Sequence, residues 1–460
     1  MELNASLLAI IILLSIYIVF NISNKFSFIE NKKQKLPPGP NGLPIIGSLV
    51  TIGGRTHESI ANLAETYGPL MTLRLGFVNV VVASSAETVK EILQTHEMEF
   101  IGRPIPDAAT AENGNVIERL FRAQEGGEVV EIKGLAFSTI VQLMSNSMFS
   151  DDLLDPASGA MEELEMLNGN IMVLFGKPNF ADYFPFLRLF DLQGIRREIR
   201  KSYDRLHGLI DGIIDIRTER RRSSDGSDRV GDFLDVLLDY MEDEGPQGLT
   251  RLDIKLMITE LFIGGTDSST TTVEWAMTEL IRNPNILSKL RQELSEKITN
   301  GKTVQEQDLP QLPYLTAVIK ETMRLHPPSP LLLPRRAEQE VEIHGFTIPK
   351  NTRIWLNVLS ITRDPKSWDG PTCFVPERFL DSDIDFRGRV FSFIPFSSGR
   401  RICPGMNLGL RMVSLILATL VQKFDWKLPN EMAPEDMDMT DRFGLTLRKA
   451  QRLVLIPTKL

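Results

Sequence analysis

The chain has 460 residues, of which 42% are apolar and 24% are charged, with a formal net charge of -9 and a pI near 5.4. An apolar fraction of this size supports a large core and excludes a disordered chain. The acidic balance argues against nucleic acid as a ligand. Only two cysteines occur, Cys373 and Cys403, so no disulfide framework is indicated and a reducing, cytosol-facing location is expected.

The first 24 residues predict a membrane anchor. Residues 3–22 are nearly all apolar and are long enough to span a bilayer as a helix. A cleaved signal peptide fits less well, because Glu2 stands where a basic start is expected and no small-residue cleavage site follows. Four lysines between residues 25 and 35 place the rest of the chain on the cytosolic side by the positive-inside rule.

Residues 25–40 predict a basic hinge that is rich in proline. The stretch Leu36–Pro40 contains three prolines, which lack the backbone N–H and stiffen the connection to the following body. That body, residues 41–460, is predicted to form a single domain.

Helical periodicity dominates the body, and short apolar strands bounded by glycine interrupt it. The chain is therefore predicted to be mainly α with small β-sheets, an α+β fold. The predicted helices span His57–Tyr67, Ala86–Thr95, Val141–Phe149, Met161–Phe175, Gly194–Arg222, Phe233–Met241, Leu252–Arg282 and Leu312–His326. The predicted strands span Leu70–Leu75, Asn79–Ala83, Val341–Ile348 and Thr352–Leu356.

The aromatic segment Asp182–Leu187 is broken by a proline and connects two predicted helices. Three interpretations stay open for it: a surface that faces a membrane, part of a lid over a substrate, or buried core.

The predicted helix Leu252–Arg282 carries Gly264 and Gly265 near its centre. Each glycine in a helix interior costs about 1 kcal/mol relative to alanine. A ligand that approaches the backbone explains the pair better than helix formation does, and we expect the helix to be interrupted between residues 264 and 270. The alternative is a capping run at a helix break, formed by Asp267 and the serines that follow it.

The stretch Phe396–Gly405 surrounds Cys403 with glycine, proline and arginine and leads into an apolar helix. A helix N-terminus and nearby arginines lower the pKa of a thiol, so we expect Cys403 to be a thiolate ligand. Gly399 and Gly405 would let the backbone approach a flat group, and Arg401 could meet an anionic group. A haem has this shape, with propionates at its edge. The alternative is a buried cysteine in a glycine-rich turn.

The pattern Phe-x-x-Gly-x-Arg-x-Cys-x-Gly in this stretch is similar to the haem-binding signature of the cytochrome P450 family. The run Gly264–Thr270 resembles the distal helix of that family. Glu321 and Arg324, three residues apart on one predicted helix, resemble its buried Glu-Arg-Arg cluster, with Arg378 as the third member. The resemblance implies a cytochrome P450 fold, preceded here by a transmembrane helix.

The resemblance also implies roles for single residues. Cys403 would be the proximal iron ligand, and Asp267 the acid that brings protons. Ser268 stands where a threonine hydroxyl contacts oxygen; it keeps the hydroxyl but loses the methyl group that restricts the rotamer. The residues implied in holding haem b are Phe396, Gly399, Arg401, Arg335, Gly264 and Gly265. The residues implied in lining the substrate pocket are Leu331, Leu332, Leu333 and Leu445.

These parts imply a haem-thiolate monooxygenase that hydroxylates a small lipophilic substrate with O2. Electrons from NADPH would come through NADPH-cytochrome P450 reductase, since the sequence contains no glycine-rich dinucleotide motif. The enzyme would be held at the endoplasmic reticulum membrane by a single span, with its catalytic domain in the cytosol. Stretches such as 100–107, 272–277 and 331–335 look like the plant group that includes geraniol hydroxylases, so a monoterpenoid such as geraniol is the substrate hypothesis.

The sequence departs from the family after residue 107. Members carry a long loop there, followed by a helix whose tryptophan and basic residue contact the haem propionates. The region 107–128 is predicted to be shortened by roughly 40 residues, and none of the four tryptophans lies near it. The alternative function is therefore a haem-binding but inactive or impaired variant, a pseudoenzyme without the helix that contacts the propionates and the reductase.

Overall fold

The computed structural model describes residues 35–43, 45–53, 55–100, 129–150, 160–223, 231–243, 248–298 and 302–459. The predicted membrane anchor, most of the predicted hinge and the region 107–128, which is predicted to be shortened, lie outside these residues. Among the residues that are described, no helix combines the length and the apolar character that crossing a bilayer requires.

Helices form the larger part of the described chain. They are α1 (Leu49–Ile52), α2 (Thr56–Tyr67), α3 (Ala86–Lys90), α4 (Ile132–Phe149), α5 (Ala160–Gly176), α6 (Phe180–Tyr183), α7 (Ile195–Ser223), α8 (Phe233–Asp243), α9 (Arg251–Arg282), α10 (Pro284–Lys297), α11 (Pro313–Leu325), α12 (Val358–Thr362) and α13 (Met406–Lys423). A π-helical turn, Glu91–Thr95, continues α3, and a 3-10 turn, Gly399–Arg401, precedes α13.

The strands are short and belong to small sheets. They are β1 (Leu70–Leu75), β2 (Val78–Ala83), β3 (Val130–Glu131), β4 (Arg335–Arg336), β5 (Val341–Ile343), β6 (Phe346–Ile348), β7 (Arg353–Leu356), β8 (Phe424–Lys427), β9 (Asp441–Arg442), β10 (Arg448–Lys449) and β11 (Val454–Lys459). The main sheet has the order β1-β2-β7-β4, in which only β2 and β7 are parallel. A second sheet has the order β3-β11-β8, and β5-β6 and β9-β10 are hairpins. The prediction of a mainly α chain with small sheets is confirmed.

The helix α9 runs through the centre of the helical core. It begins with a capping box in which Thr250 and Asp253 exchange hydrogen bonds. Every residue from Thr270 to Ile281 is buried, so this half of the helix has no solvent face. It packs against α4, α11 and α13. Burying each large apolar side chain here contributes roughly 1.5–3 kcal/mol, which outweighs the cost of the two glycines.

The predicted interruption of α9 is wrong, because the helix is continuous from Arg251 to Arg282. The small polar residues that suggested a break instead donate their hydroxyl groups to carbonyl oxygens one turn earlier. Thr266 donates to Phe262 at 2.8 Å and Ser268 donates to Gly264 at 2.7 Å. In these bonds the hydroxyl groups are satisfied inside the helix, so they do not compete with the backbone hydrogen bonds of the helix.

Two helices differ from the prediction for opposite reasons. The helix α4 begins nine positions earlier than predicted, because residues 132–141 are buried on nearly every side and so show no amphipathic period. The helix α10 was missed although it carries a signal: Pro284 stands at its start, and Leu287, Leu290 and Leu294 recur on the buried face.

The aromatic segment after α6 divides between core and surface. Tyr183 and Phe184 are buried in the cluster beneath β1 and β2. Phe186, Leu189 and Phe190 are exposed, and Phe186 and Phe184 both contact the Phe77 ring in edge-to-face arrangements. The buried-core interpretation therefore holds for Tyr183 and Phe184, whereas Phe186 lies at the surface.

Candidate functional site

The loop that carries Cys403 is held by its own backbone. The Cys403 N–H donates to the Phe396 carbonyl at 3.0 Å, and the thiol sulfur accepts from the N–H groups of Gly405 and Met406. Burial nevertheless raises the pKa of the Cys403 thiol, and these two donors only partly oppose that effect. The predicted lowering of its pKa is therefore wrong for the side chain alone, since α13 begins only at Met406 and burial is the larger effect. A metal ion that binds a thiol removes its proton outright.

Gly399 is required by contact with the π-helical turn. Its φ of +73° lies in the left-handed region, and an added Cβ would lie 2.6 Å from Glu97 Oε1 and 3.0 Å from the Leu93 carbonyl oxygen. The N–H of Arg400 also donates to Glu97. Packing within the protein thus explains why residue 399 is a glycine. A Cβ on Gly405, by contrast, would lie 4.0 Å from the Cys403 sulfur, which is an ordinary van der Waals distance.

Arg335 places a buried positive charge behind the same loop. It is fully enclosed on β4, and its Nη2 lies 3.3 Å from both Ser397 Oγ and the Ser398 carbonyl oxygen. A desolvated guanidinium at this position suits an anionic group, because charge-assisted hydrogen bonds are strongest where water is excluded. Arg401, by contrast, is exposed. Phe396 is half-buried, and its ring meets Phe386 edge to face.

The two glycines of α9 face different surroundings. An added Cβ on Gly264 would meet no atom of the described residues within 4 Å, so this position borders open space in the described part of the chain. A Cβ on Gly265 would lie 2.9 Å from the end of the Met144 side chain on α4. Gly264 is therefore the position where a group can approach the α9 backbone, and Ser268 lies one turn further on the same side.

Asp267 is buried and is bound by two residues of the β9-β10 hairpin. Arg448 contacts both carboxylate oxygens, with Nη2 2.7 Å from Oδ1 and Nε 3.1 Å from Oδ2. The Thr446 hydroxyl donates to Oδ2 as well. The sequence did not point to these partners. A buried acid calls for a cation, but the chain has 51 lysines and arginines, and no local spacing selects Arg448.

The three residues assigned to the Glu-Arg-Arg cluster contact one another. Arg324 donates to both oxygens of Glu321, at 2.7 and 2.8 Å, and Arg378 Nε donates to Oε1 at 3.1 Å. Arg324 also donates to the carbonyl oxygens of Thr362, Pro371 and Cys373. The cluster therefore joins α11 to the chain between residues 362 and 378.

The four leucines predicted to line the substrate pocket do not share one environment. Leu331 is buried in the cluster with β1 and β2, Leu332 is half-buried with a φ of +50°, and Leu333 is exposed. Leu445 is half-buried in the hairpin turn, directly before Thr446. Of the four, Leu445 has the closest connection to Asp267.

A second group of polar residues lies at the base of the same hairpin. His57 Nε2 on α2 is 3.1 Å from Asp441 Oδ1, and the imidazole stacks on Phe443 with centroids 5.2 Å apart. Glu58 lies close enough to complete three possible metal ligands. Arg55 Nη2, however, is 3.9 Å from the same Asp441 oxygen, and a neighbouring guanidinium opposes a cation. This group holds the hairpin base to α2.

Comparison with known proteins defines the class. A sequence model described as Cytochrome P450 matches residues 37–117 and 107–455. Because these two stretches include nearly all of the body, the chain belongs to the cytochrome P450 family. It is a plant member of the geraniol hydroxylase-like group and a cytochrome P450 monooxygenase, which takes haem with a cysteine thiolate ligand, O2 and electrons derived from NADPH.

The similarity to individual proteins extends over almost the whole chain. A geraniol 8-hydroxylase of Swertia mussotii is 41% identical over 477 residues, covering 94% of this chain and 96% of that protein. One of Catharanthus roseus is 40% identical over 492 residues, covering 98% and 99%. A ferruginol synthase of Isodon rubescens is 40% identical over 472 residues, covering 93% and 95%.

The described residues fit a haem. Gly405 and Met406 direct N–H donors to the Cys403 sulfur, Arg335 supplies an enclosed cation behind the loop, and Gly264 leaves space beside α9. When bound, a haem with a thiolate ligand activates O2, because the sulfur donates electron density that favours cleavage of the O–O bond.

Proposed function

We propose that this monooxygenase hydroxylates a small lipophilic monoterpenoid such as geraniol. The observation that carries the proposal is the similarity, over nearly the full chain, to two proteins that are geraniol 8-hydroxylases. Geraniol is therefore the compound to test first.

In this proposal Cys403 is the iron ligand, in the loop from Phe396 to Gly405. Its sulfur accepts two backbone N–H donors, which stabilise a negative charge. Arg335 would hold a propionate, with its enclosed guanidinium supported by Ser397 and Ser398. Arg401 would hold a propionate as well.

We assign the supply of protons to Asp267 and their guidance to Ser268. Both lie on α9 just after Gly264, the position that borders open space. The Ser268 hydroxyl donates to the Gly264 carbonyl at 2.7 Å, and its oxygen can still accept a second hydrogen bond. Leu331, Leu332, Leu333 and Leu445 are the proposed apolar contacts of the substrate.

Ser268 offers a test of this assignment. We expect Ser268→Thr to raise the product formed per NADPH consumed, because the added methyl group restricts χ1 and fixes the hydroxyl direction. Ser268→Ala should lower the same ratio by up to about 100-fold. This is the lower end of the rate contribution that a positioned proton-transfer group makes. Product, NADPH and released hydrogen peroxide are measured together. Equal ratios in all three proteins would remove the hydroxyl from the mechanism.

We further propose that the reductase docks on the surface around the Cys403 loop. Arg387, Arg389, Arg400 and Arg411 are each well exposed there, and Gly388 contacts Ser398 of the loop. Nearby carboxylates partly balance these charges, which suits a transient electrostatic contact.

The protein is proposed to lie at the endoplasmic reticulum membrane, held by residues 1–24. The exposed side chains of Phe186, Leu189 and Phe190 support a second contact with lipid. Alkaline extraction of microsomes tests the membrane span, because a protein with a spanning segment stays in the pellet.

The central experiment combines membranes containing the full chain with NADPH-cytochrome P450 reductase, NADPH and geraniol. We expect a hydroxylated geraniol whose formation requires added reductase and slows as salt is raised, since the docking is electrostatic. The carbon monoxide difference spectrum of the reduced protein is recorded on the same membranes. A thiolate-type band without any product from geraniol would contradict the substrate proposal.

The pseudoenzyme alternative has one supporting observation. An alignment of 492 positions that covers 98% of this 460-residue chain leaves about 40 positions without a residue of this chain. The two stretches matched to the family meet at residues 107–117, which supports placing the shortening in the region 107–128. A thiolate-type band with no product from any of a panel of terpenoid and phenolic substrates would favour this alternative.

A further inference from the structure

The turn of the β9-β10 hairpin, residues 443–447, lies between two helices and contacts the backbone or a buried side chain of each. On one side, Thr446 of the turn and Arg448 at the start of β10 bind the Asp267 carboxylate of α9, and between them they contact both of its oxygens. We call residues 443–447 the hairpin turn. Because Arg448 approaches through two nitrogens, it fixes the orientation of the carboxylate as well as its position.

On the other side, the last residue of α5 packs directly on the hairpin turn. A Cβ added to Gly176 would lie 2.7 Å from the Gly444 carbonyl carbon and 2.8 Å from the Leu445 nitrogen. A Cβ added to Gly444 would lie 3.6 Å from the Met172 carbonyl oxygen. The two backbones therefore touch at a pair of glycines, with no side chain between them to absorb a displacement.

The rest of the hairpin is fixed to the core. Trp275 Nε1 on α9 donates to the Leu447 carbonyl at 3.1 Å, and His57 opposes Asp441 at the base. A displacement of the end of α5 consequently cannot be absorbed by moving the hairpin as a whole. It changes the path of residues 444–446 and, through Thr446 and Arg448, the carboxylate of Asp267.

We propose that the hairpin turn positions Asp267 for its role and transmits the position of α5 to it, with Thr446 and Arg448 as positioning residues. The inference rests on the proposed function in one respect, the proton-delivering role of Asp267. It adds that a substrate in contact with Leu445, or one that displaces α5, alters the same carboxylate. Substrate binding at Leu445 and proton delivery by Asp267 then depend on one another.

The first test compares variants of the positioning residues. Arg448→Gln and Thr446→Val should each lower the product formed per NADPH by about tenfold, less than the roughly 100-fold or more expected when the proton-transferring group itself is lost. The solvent isotope effect on product formation should rise, while the carbon monoxide spectrum stays of the thiolate type. Arg448→Lys, which retains the charge, should recover part of the ratio.

The matched control is Arg251→Gln. Arg251 forms another Arg–Asp ion pair of α9, 2.8 Å from Asp215 on α7, but the two side chains are 39% and 61% exposed. It should leave the product-to-NADPH ratio and the isotope effect unchanged. If Arg448→Gln also leaves both unchanged in a protein that hydroxylates geraniol, the positioning role is refuted while the proposed function stands.

The second test concerns the contact with α5. Gly176→Ala should lower the product-to-NADPH ratio in the same way as Arg448→Gln, although residue 176 does not touch Asp267. Gly169→Ala on the same helix is the control, because a Cβ there would meet none of the described atoms within 4 Å. Equal ratios for the two alanine variants would refute transmission from α5.

A third measurement does not depend on turnover. Thermal unfolding of the haem-loaded single and double variants at Asp267 and Arg448 should show strong non-additivity, because the pair is buried. The loss in melting temperature caused by Arg448→Gln should shrink in the Gly176→Ala background and persist in the Gly169→Ala background. Additive shifts, or equal shifts in both backgrounds, would overturn the inference even if geraniol proves not to be the substrate.

Discussion

Replacing Cys403 with serine is expected to abolish the thiolate-type band of the reduced, carbon monoxide-treated protein, and with it all NADPH-dependent hydroxylation. Iron in this site requires a soft, electron-donating sulfur, and a serine hydroxyl has neither the acidity nor the polarisability to replace it. Absorbance spectra of matched membrane fractions, combined with immunological quantification of the protein, measure the effect per folded molecule.

Cys373→Ser is the matched control for this variant. Cys373 is exposed, and only its backbone carbonyl takes part in the Arg324 network, which serine preserves. Its spectrum and hydroxylation rate should equal those of the unaltered protein. Loss of the band in Cys373→Ser with retention in Cys403→Ser would reverse the assignment of the iron ligand.

Removing the guanidinium of Arg324 should destabilise the folded protein by about 3–5 kcal/mol, the range for breaking a buried ion pair. Glu321 would lose its bidentate partner, and three carbonyl oxygens would lose a donor. Arg324→Lys should cost nearly as much, because an ammonium group cannot reproduce the planar fork that reaches five acceptors. Chemical denaturation followed by tryptophan fluorescence measures the change.

The control for Arg324→Ala is Lys201→Ala. Glu198 and Lys201 form a pair with the same three-residue spacing on α7, but their side chains are 53% and 67% exposed, whereas those of Glu321 and Arg324 are 0% exposed. Lys201→Ala should change stability by less than about 1 kcal/mol. Comparable losses in both variants would show that burial is not the source of the stability.

Sequence periodicity and capping residues predicted the helices and strands that have one buried face or a clear starting residue. The helices α2, α9 and α11 and the strands β1 and β2 lie within a residue or so of their predicted bounds, because each buries one recognisable face or begins at a capping residue. The start of α4 could not be found in this way, since a helix buried on all sides has no polar face to reveal its period.

The residues of the candidate site likewise differ in whether local sequence patterns could predict them. Cys403, Asp267, Glu321 and Arg324 belong to contiguous motifs and could be selected from the sequence. Arg448 could not, because its partner lies 181 positions away and only the folded chain brings them together. The pKa of Cys403 was misjudged for a related reason: the N–H donors follow from the motif, but the extent of burial follows from packing.

The adjacency of Leu445 and Thr446 has a consequence for redesign of this enzyme. Leu445 is a proposed substrate contact, so a library that varies the hairpin turn to change substrate choice also varies the backbone that carries the Thr446 hydroxyl and the Arg448 guanidinium. If these residues position Asp267 as proposed, variants selected for binding alone should lose reducing equivalents to peroxide. Varying the turn together with residues 176 and 448, and screening for oxygen-transfer efficiency, addresses both properties in one selection.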